Sequence, residues 1–267
     1  MIKLIATDMD GTFLDASGQF DRERFVAVLE KCREQDVLFT VASGRGILAL
    51  EKLFAGFLDQ IALVAENGSV VTYQGKILYE RAMTREQAEA VVQHVLASPY
   101  STGPQLLLSG EKGAYVPRSA DPAYVEHMKH YHEGIRLYDD LAEIDDVIIK
   151  VTTVFKPEEV ALGSAWLNER LPFVTGVTTG FEAIDIILSD VNKGEGLAHL
   201  CQELGLTAAN VTAFGDNLND LEMLEFAGSA IAMENARPEL KAVADRVIGH
   251  HDDGAVLSYL EEALKND

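Results

Sequence analysis

Two aspartates, Asp8 and Asp10, stand two residues apart where an apolar, β-branched run from Ile2 to Thr7 gives way to Gly11-Thr12. Strand side chains alternate faces, so carboxylates at that spacing project toward one point. Such a pair can hold a hard cation through oxygen while one member attacks phosphorus and the other moves a proton. An acidic turn closing a strand would use the same residues. An EF-hand would not, because neither Gly at the sixth position nor Glu at the twelfth follows from Asp8.

Ser43-Gly44-Arg45 closes a second apolar run. A hydroxyl followed by backbone N–H groups at a helix start cradles phosphate, although Ser and Gly are also common N-cap and turn residues. Gly44-Arg45-Gly46 lacks the third glycine of a dinucleotide fingerprint, and no G-x-x-x-x-G-K-[ST] occurs. Lys193 opens a helix pattern, where the positive helix end disfavours a cation, and that placement points to a task. Gly215-Asp216-Asn217-Leu218-Asn219-Asp220 follows another apolar run and puts two Asp and two Asn at a helix start. One short polar side chain caps a helix; four suit a cation site with supporting hydrogen bonds. His127, His130 and His132 cluster around Tyr131 without thiolates or an H-E-x-x-H pattern, which favours substrate contact or solvent exposure over zinc. Met9, Phe13, Phe54 and Phe57 fit core or rim packing at strand and helix spacing and are assigned no chemistry.

Several elements must position these groups. Apolar runs at Ile2–Thr7, Val37–Ala42, Ile61–Ala65 and Val211–Phe214 alternate with helical patterns at Asp21–Glu34, Ile47–Phe57, Lys193–Leu204 and Leu218–Phe226. That rhythm predicts βαβ units and a parallel sheet, with functional loops at the strands' carboxyl ends. Gln74-Gly75 marks a hairpin between Val70-Val71 and Ile77-Leu78. From about 82 to 184 the rhythm stops; strands are expected at Leu106–Leu108, Ala114–Val116 and Val147–Val154, and the parallel pattern resumes after Ile184–Leu188. The expected organisation is a core of residues 1–81 and 185–267 with an inserted α+β domain of 82–184.

Bulk composition narrows the partners. Lys plus Arg number 22 against 43 Asp plus Glu, a balance of −21 that repels nucleic acid and acidic membrane faces. Screening confines that field to about 8 Å at physiological salt, so local cations still decide whether a phosphate binds. Cys32 and Cys201 lie far apart in helix-like stretches, which predicts core packing rather than a disulfide or a thiolate metal site. No signal-length or membrane-length apolar run occurs, so a cytoplasmic protein is expected.

Taken in order, Asp8-Met9-Asp10-Gly11-Thr12, Ser43-Gly44-Arg45, Lys193 and Gly215-Asp216-Asn217-Leu218-Asn219-Asp220 resemble the four motifs of haloacid dehalogenase-type phosphatases. Over the whole chain, the hairpin after Glu66-Asn67-Gly68 and the insertion between the second and third motifs are similar to the Cof-type branch. Val64 to Gly68, Glu143 to Val147 and Val177 to Phe181 look most like bacterial sugar phosphatases. The resemblance implies a Rossmann-like parallel-sheet α/β core with an α+β cap. It implies that Asp8 attacks phosphorus, that Asp10 protonates the leaving oxygen and later activates water, and that Mg2+ is held by Asp8, the Asp10 carbonyl and Asp216. Thr12, Asn217 and Asp220 would support that site; Ser43, Gly44, Lys193 and Asn219 would bind the phosphoryl oxygens. His127, His130 and Lys150, chosen for polarity within the cap, would contact the leaving group. The implied partner is a small phosphorylated metabolite, foremost a sugar phosphate. A phosphomutase, or a flavin or nucleotide phosphatase, would use the same machinery, whereas a binding module that had lost catalysis would not retain Asp8, Asp10, Lys193 and Asp216 together.

Overall fold

Apolar runs become strands buried on both faces, and the first is β1 (Leu4–Thr7). This computed structural model describes residues 2–129, 131–178 and 183–265. After β1 come α1 (Arg22–Glu34), β2 (Leu38–Ala42), α2 (Ile47–Leu53), β3 (Ile61–Ala65), β4 (Val70–Tyr73) and β5 (Lys76–Glu80). Next are α3 (Arg85–Ala97), β6 (Leu106–Gly110), β7 (Ala114–Pro117), α4 (Pro122–Met128), β8 (Ile135–Tyr138) and β9 (Ile148–Val154). The chain continues through α5 (Val160–Arg170), β10 (Val174–Thr178), β11 (Ala183–Leu188), α6 (Lys193–Leu204) and β12 (Val211–Gly215). It closes with α7 (Leu221–Phe226), β13 (Ser229–Ala232), α8 (Pro238–Val243), β14 (Arg246–Val247) and α9 (Ala255–Ala263).

Contacts divide these elements into two units: Met1–Ser43, Phe54–Tyr79 and Asn192–Asp267 form one, Gly44–Leu53 and Glu80–Val191 the other. The first unit carries a sheet of order β14-β13-β12-β1-β2-β3-β4-β5. Its strands from β14 to β3 run parallel, and β4 returns antiparallel to β3. The β4–β5 turn uses Gln74 (φ 51°) and Gly75 (φ 70°), the left-handed pair of a tight hairpin. Helix α1 starts because the Asp21 side chain accepts from the amides of Glu23 and Arg24, and it buries Phe25, Val28, Leu29 and Cys32 on one face. Phe25 joins Phe13, Phe20, Phe39, Phe54 and Phe57 in one aromatic cluster with centroid separations from 5.0 to 6.4 Å, so these rings are core, as their spacing indicates.

The second unit has a sheet of order β10-β11-β9-β6-β7-β8, antiparallel except for the β7–β8 pair. Helix α3 begins with a capping box between Thr84 and Gln87, and buries Ala88, Val91, Val92 and Val95 among Leu106, Leu108, Val151 and Ile186. The run Ile184–Leu188, which the expected boundary at 184–185 divides between the two parts, forms β11 and pairs antiparallel with both β10 and β9. By contacts, the second unit extends to Val191 and also takes in residues 44–53. An apolar run carries no record of which strand it will pair with. Both cysteines are buried thiols, pushed up to about 12 for Cys32 and about 11 for Cys201 by burial, in keeping with core packing. Among the described residues no helix is long and apolar enough to cross a membrane.

Candidate active site

Parallel pairing places the residues after β1, β2, β3 and β12 along one edge of the first unit's sheet. In register, Thr7 faces Phe214 on one side and Val41 on the other, so Asp8, Ser43 and Asp216 leave their strands at the same level. Asp8 is 5% exposed, and its backbone N–H donates to Phe214 O at 3.0 Å. Met9 O accepts from the amides of Thr12, Phe13 and Leu14, which folds the following residues into a tight loop. Gly11 (φ +85°) lies in that loop, and a Cβ there would stand 2.5 Å from Asp216 Oδ2. Only glycine allows the two acidic loops to approach so closely. Thr12 Oγ1 then donates to Asp216 Oδ1 at 3.0 Å.

Lys193 is the most deeply buried cation in the site. Its Nζ donates to Asp8 Oδ1 at 2.5 Å and to Asp220 Oδ1 at 2.6 Å, and its side chain is fully enclosed. Asn192 caps α6 by accepting from Glu195 N. Gly68 (φ +101°) lets that helix start approach the loop after β3, since a Cβ would lie 2.0 Å from Asn192 O. Burial opposes the ammonium charge, but Asp220 and Asp8 overcome it and hold the Lys193 pKa above its ordinary value. Asp8 is raised well above the usual carboxylate range, first by burial and then by the charge of Asp220, with Lys193 acting the other way. Asp216 is raised to about 6 by burial and by Asp220, against the hydrogen bond from Thr12.

The Gly215–Asp220 segment divides its polar side chains among distinct tasks. Asp220 uses Oδ1 for Lys193, while Oδ2 accepts from the amides of Asp216 and Asn217. Asn217 caps the turn by accepting from Leu218 N. Asn219 Nδ2 donates to Asn67 Oδ1 at 3.1 Å, and the Asn67 amide donates to Ser43 O at 3.0 Å. Asn67 thus joins Asn219 to the residue that ends β2. Sequence reasoning did not single it out, although its position just past β3 follows the rule that functional loops occupy strand carboxyl ends. Ser43 is 1% exposed. Asp10, by contrast, is exposed.

Within the second unit, Lys150 Nζ donates to Gly44 O at 2.7 Å and pairs with Asp185 Oδ2 at 3.0 Å, with only 3% of the lysine side chain exposed. Thr152 Oγ1 supports the partner by donating to Asp185 Oδ1 at 2.7 Å. His127 is exposed and packs its ring against Tyr131. His130 lies outside the described residues, as do Thr179 to Phe181 of the segment similar to sugar phosphatases. His132, half-buried near Lys150, is pushed down to about 4 by burial and then by the lysine charge. A depressed folded pKa keeps its stability above the ordinary 6.5 and loses it as pH falls toward 4. Compared with His132→Gln, the parent chain should therefore lose up to about 3 kcal/mol of stability between those pH values in urea unfolding. Parallel pH profiles for the two proteins would show that His132 is not held neutral.

The donors fit a hard divalent cation. Asp8, Asp216 and Asp220 each offer a carboxylate oxygen within 4.8 Å of the others, and one ammonium does not balance their charge. Two of them are raised, first by burial and then by the neighbouring Asp220, so the site favours uptake of either protons or a cation. Asp220 is committed to Lys193 and to loop amides, which leaves Asp8 and Asp216 as the carboxylates able to coordinate. Among the described residues, His250, His251 and Asp252 also bring potential ligand atoms together.

Comparison with known proteins agrees with this geometry. Residues 5–260 match the family model for haloacid dehalogenase-like hydrolases. The chain is 33% identical over 267 residues to the Escherichia coli 5-amino-6-(5-phospho-D-ribitylamino)uracil phosphatase YbjI, spanning 100% of this chain and 97% of that protein. A crystal structure from Streptococcus mutans superposes with a TM-score of 0.91 at 30% identity, covering 99% of both chains. A haloacid dehalogenase-like hydrolase from Bacteroides thetaiotaomicron shares the fold, with a TM-score of 0.84 at 23% identity over 98% of this chain and 100% of that one.

Proposed function

Because the chain belongs to the haloacid dehalogenase-like hydrolase family and is a phosphatase, we propose that it hydrolyses small phosphate monoesters through Asp8, with Mg2+ as cofactor. The observation that carries the reading is the buried Asp8–Lys193–Asp220 array beside Asp216. Asp8 attacks phosphorus through a carboxylate oxygen, the ester oxygen departs, and the phosphoryl group resides on Asp8 until water attacks phosphorus and frees the carboxylate. Asp10, exposed two residues on, gives a proton to the departing oxygen and takes one from the attacking water. Lys193 keeps a fixed positive charge against Asp8 and the phosphoryl oxygens. Ser43 and the Gly44 amide bind those oxygens at the end of β2. Asp8, Asp216 and the Asp10 carbonyl would hold the cation, which supplies Lewis-acid neutralisation of phosphoryl charge.

The second unit is assigned the selection of the leaving group, with Lys150 and His127 as its candidate contacts. A phosphate on a primary carbon of a polyhydroxylated chain is the favoured substrate class. It embraces both the sugar phosphates that the cap segments resemble and the ribityl phosphate in the name of the Escherichia coli relative. Chelator-stripped protein should release no phosphate from a panel of sugar, polyol, nucleotide and flavin phosphates, and Mg2+ should restore activity, greatest on the sugar and polyol esters. Calcium should inhibit, since its larger coordination number lets both Asp8 oxygens bind and removes the nucleophile. Undiminished hydrolysis in chelator, with metal loss verified by elemental analysis, would overturn the metal assignment. Preference for nucleotide or aryl esters over sugar, polyol and flavin phosphates would overturn the substrate class, since a flavin mononucleotide itself carries its phosphate on the primary carbon of a ribityl chain.

A further inference from the structure

A short segment after β13 touches both acidic loops at once. Met233 N donates to Gly215 O at 3.2 Å and Arg237 N to Asp216 O at 2.9 Å. Between them, the Asn235 side chain reaches the other loop, its Nδ2 donating to Gly11 O at 2.7 Å. The Asn235 carboxamide is itself oriented, because its Oδ1 accepts from His251 N at 3.3 Å. His251 Nδ1 meets Leu14 O at 2.7 Å, and a carbonyl only accepts, so Nδ1 carries the proton. Ala16 N donates to Asp252 Oδ1 at 2.8 Å. The side chains of Asn235 and of the adjacent His251 and Asp252 thus hold Gly11, Leu14 and Ala16 of the loop that begins at Asp8.

We infer that Asn235 is a positioning residue that, oriented by His251, fixes the spacing between the Asp8–Asp10 loop and Asp216, and thereby sets the affinity of the site for its divalent cation. The inference rests on the functional reading given above. The physical argument is geometric. Gly11 and Asp216 stand too close for a side chain to intervene, and the two loops bring carboxylate oxygens of Asp8 and Asp216 within 4.8 Å of each other. Something must hold the loops together before a cation arrives. Asn235 does so with a neutral amide that adds no charge to an already acidic cluster, and partners behind metal ligands typically contribute 10–100-fold to metal affinity or activity.

The test uses the full chain, Mg2+ alone as probe, and hydrogen exchange at the amides of residues 11–16. Asn235→Ala should weaken Mg2+ binding roughly 10–100-fold by calorimetry and speed exchange at Thr12, Phe13 and Leu14, whose amides bond to Met9 O. At saturating Mg2+ the substrate KM should stay within about twofold while kcat falls, because only the loop spacing is disturbed. His251→Asn, whose Nδ2 can replace Nδ1 as donor to Leu14 O, should behave like the parent, whereas His251→Ala should share the Asn235→Ala defect in milder form. Should Asn235→Ala fail to melt cooperatively, the near-isosteric Asn235→Leu, which keeps the volume but removes the donor to Gly11 O, decides the matter in the same assays. Unchanged Mg2+ affinity and unchanged exchange in Asn235→Ala would overturn the inference. If the parent itself binds no Mg2+, the metal reading falls, and exchange alone decides whether Asn235 holds the loop.

Discussion

Asp8→Asn should abolish turnover, lowering kcat by roughly 10⁴-fold or more, without unfolding the protein. The amide keeps the side chain's shape but lacks the attacking oxygen and a negative metal ligand. Burial and Asp220 already disfavour the charged form of Asp8, so a neutral replacement removes repulsion from the folded state. Cooperative melting at an equal or higher temperature in metal-free buffer is the expected result. Asp10→Asn should differ in kind. It keeps the nucleophile, so an aryl phosphate whose leaving group needs little protonation should give one equivalent of phenolate rapidly and then stall with the phosphoryl group on Asp8. Acid quenching followed by hydroxylamine should locate that group as an acyl phosphate on the Asp8 peptide. The stereochemical course at phosphorus gives an independent check. Two successive displacements yield net retention in a chirally labelled ester; inversion would mean direct attack by water and would remove Asp8 from its assigned role.

Lys193→Met should produce the largest combined loss of activity and stability. The substitution preserves most of the volume but leaves Asp8 and Asp220 buried without the ammonium that bridges them. Breaking such a buried array by removing one partner costs about 3–5 kcal/mol. Removing a fixed donor to the phosphoryl oxygens should lower kcat by a further 10²- to 10³-fold, on the order seen for comparable donors. The pH dependence follows from the direction of the Asp8 shift. Its folded pKa already lies above the unfolded value and rises further without Lys193, so stability is retained at low pH and lost as pH rises through the folded pKa. In metal-free buffer the deficit of Lys193→Met should thus be greatest near pH 8 and shrink toward pH 4. Adding Asp220→Asn should recover a large part of it by removing one of the stranded charges. A deficit that is constant with pH and indifferent to Asp220→Asn would assign the loss to packing.

The legible part of the site follows from strand geometry. Asp8, Ser43 and Asp216 each end an apolar run, and a parallel sheet brings such ends to one edge, so their convergence was available from position along the chain. Lys193 could be singled out because a cation at a helix start works against the helix dipole, and the structure shows two carboxylates compensating it. Lys150 was picked for polarity alone, and nothing in its neighbourhood in sequence foretells an ion pair with Asp185 or a bond to Gly44 O. Asn67, read only as part of Glu66-Asn67-Gly68, and Asn235 and His251 were assigned no role in the site. Each is a common residue in a turn, and each acquires its meaning from a partner more than a hundred residues away or from a neighbour that has one.

By itself, then, the sequence determined the alternation of strands and helices, the acidic surplus, and the loops that bear reactive side chains, because these depend on local periodicity and residue type. Tertiary structure alone decided the pairings. The order β12-β1-β2 sets which loops are neighbours, and chain order does not encode it. The antiparallel placement of β11, the bridge of Lys193 between Asp8 and Asp220, and the reach of Asn235 to Gly11 all depend on contacts between distant segments. Such contacts form only when burial of the two sheets' apolar faces has fixed the backbone, and a hydrogen bond requires its partners within about 3 Å of each other, a precision that local patterning does not supply.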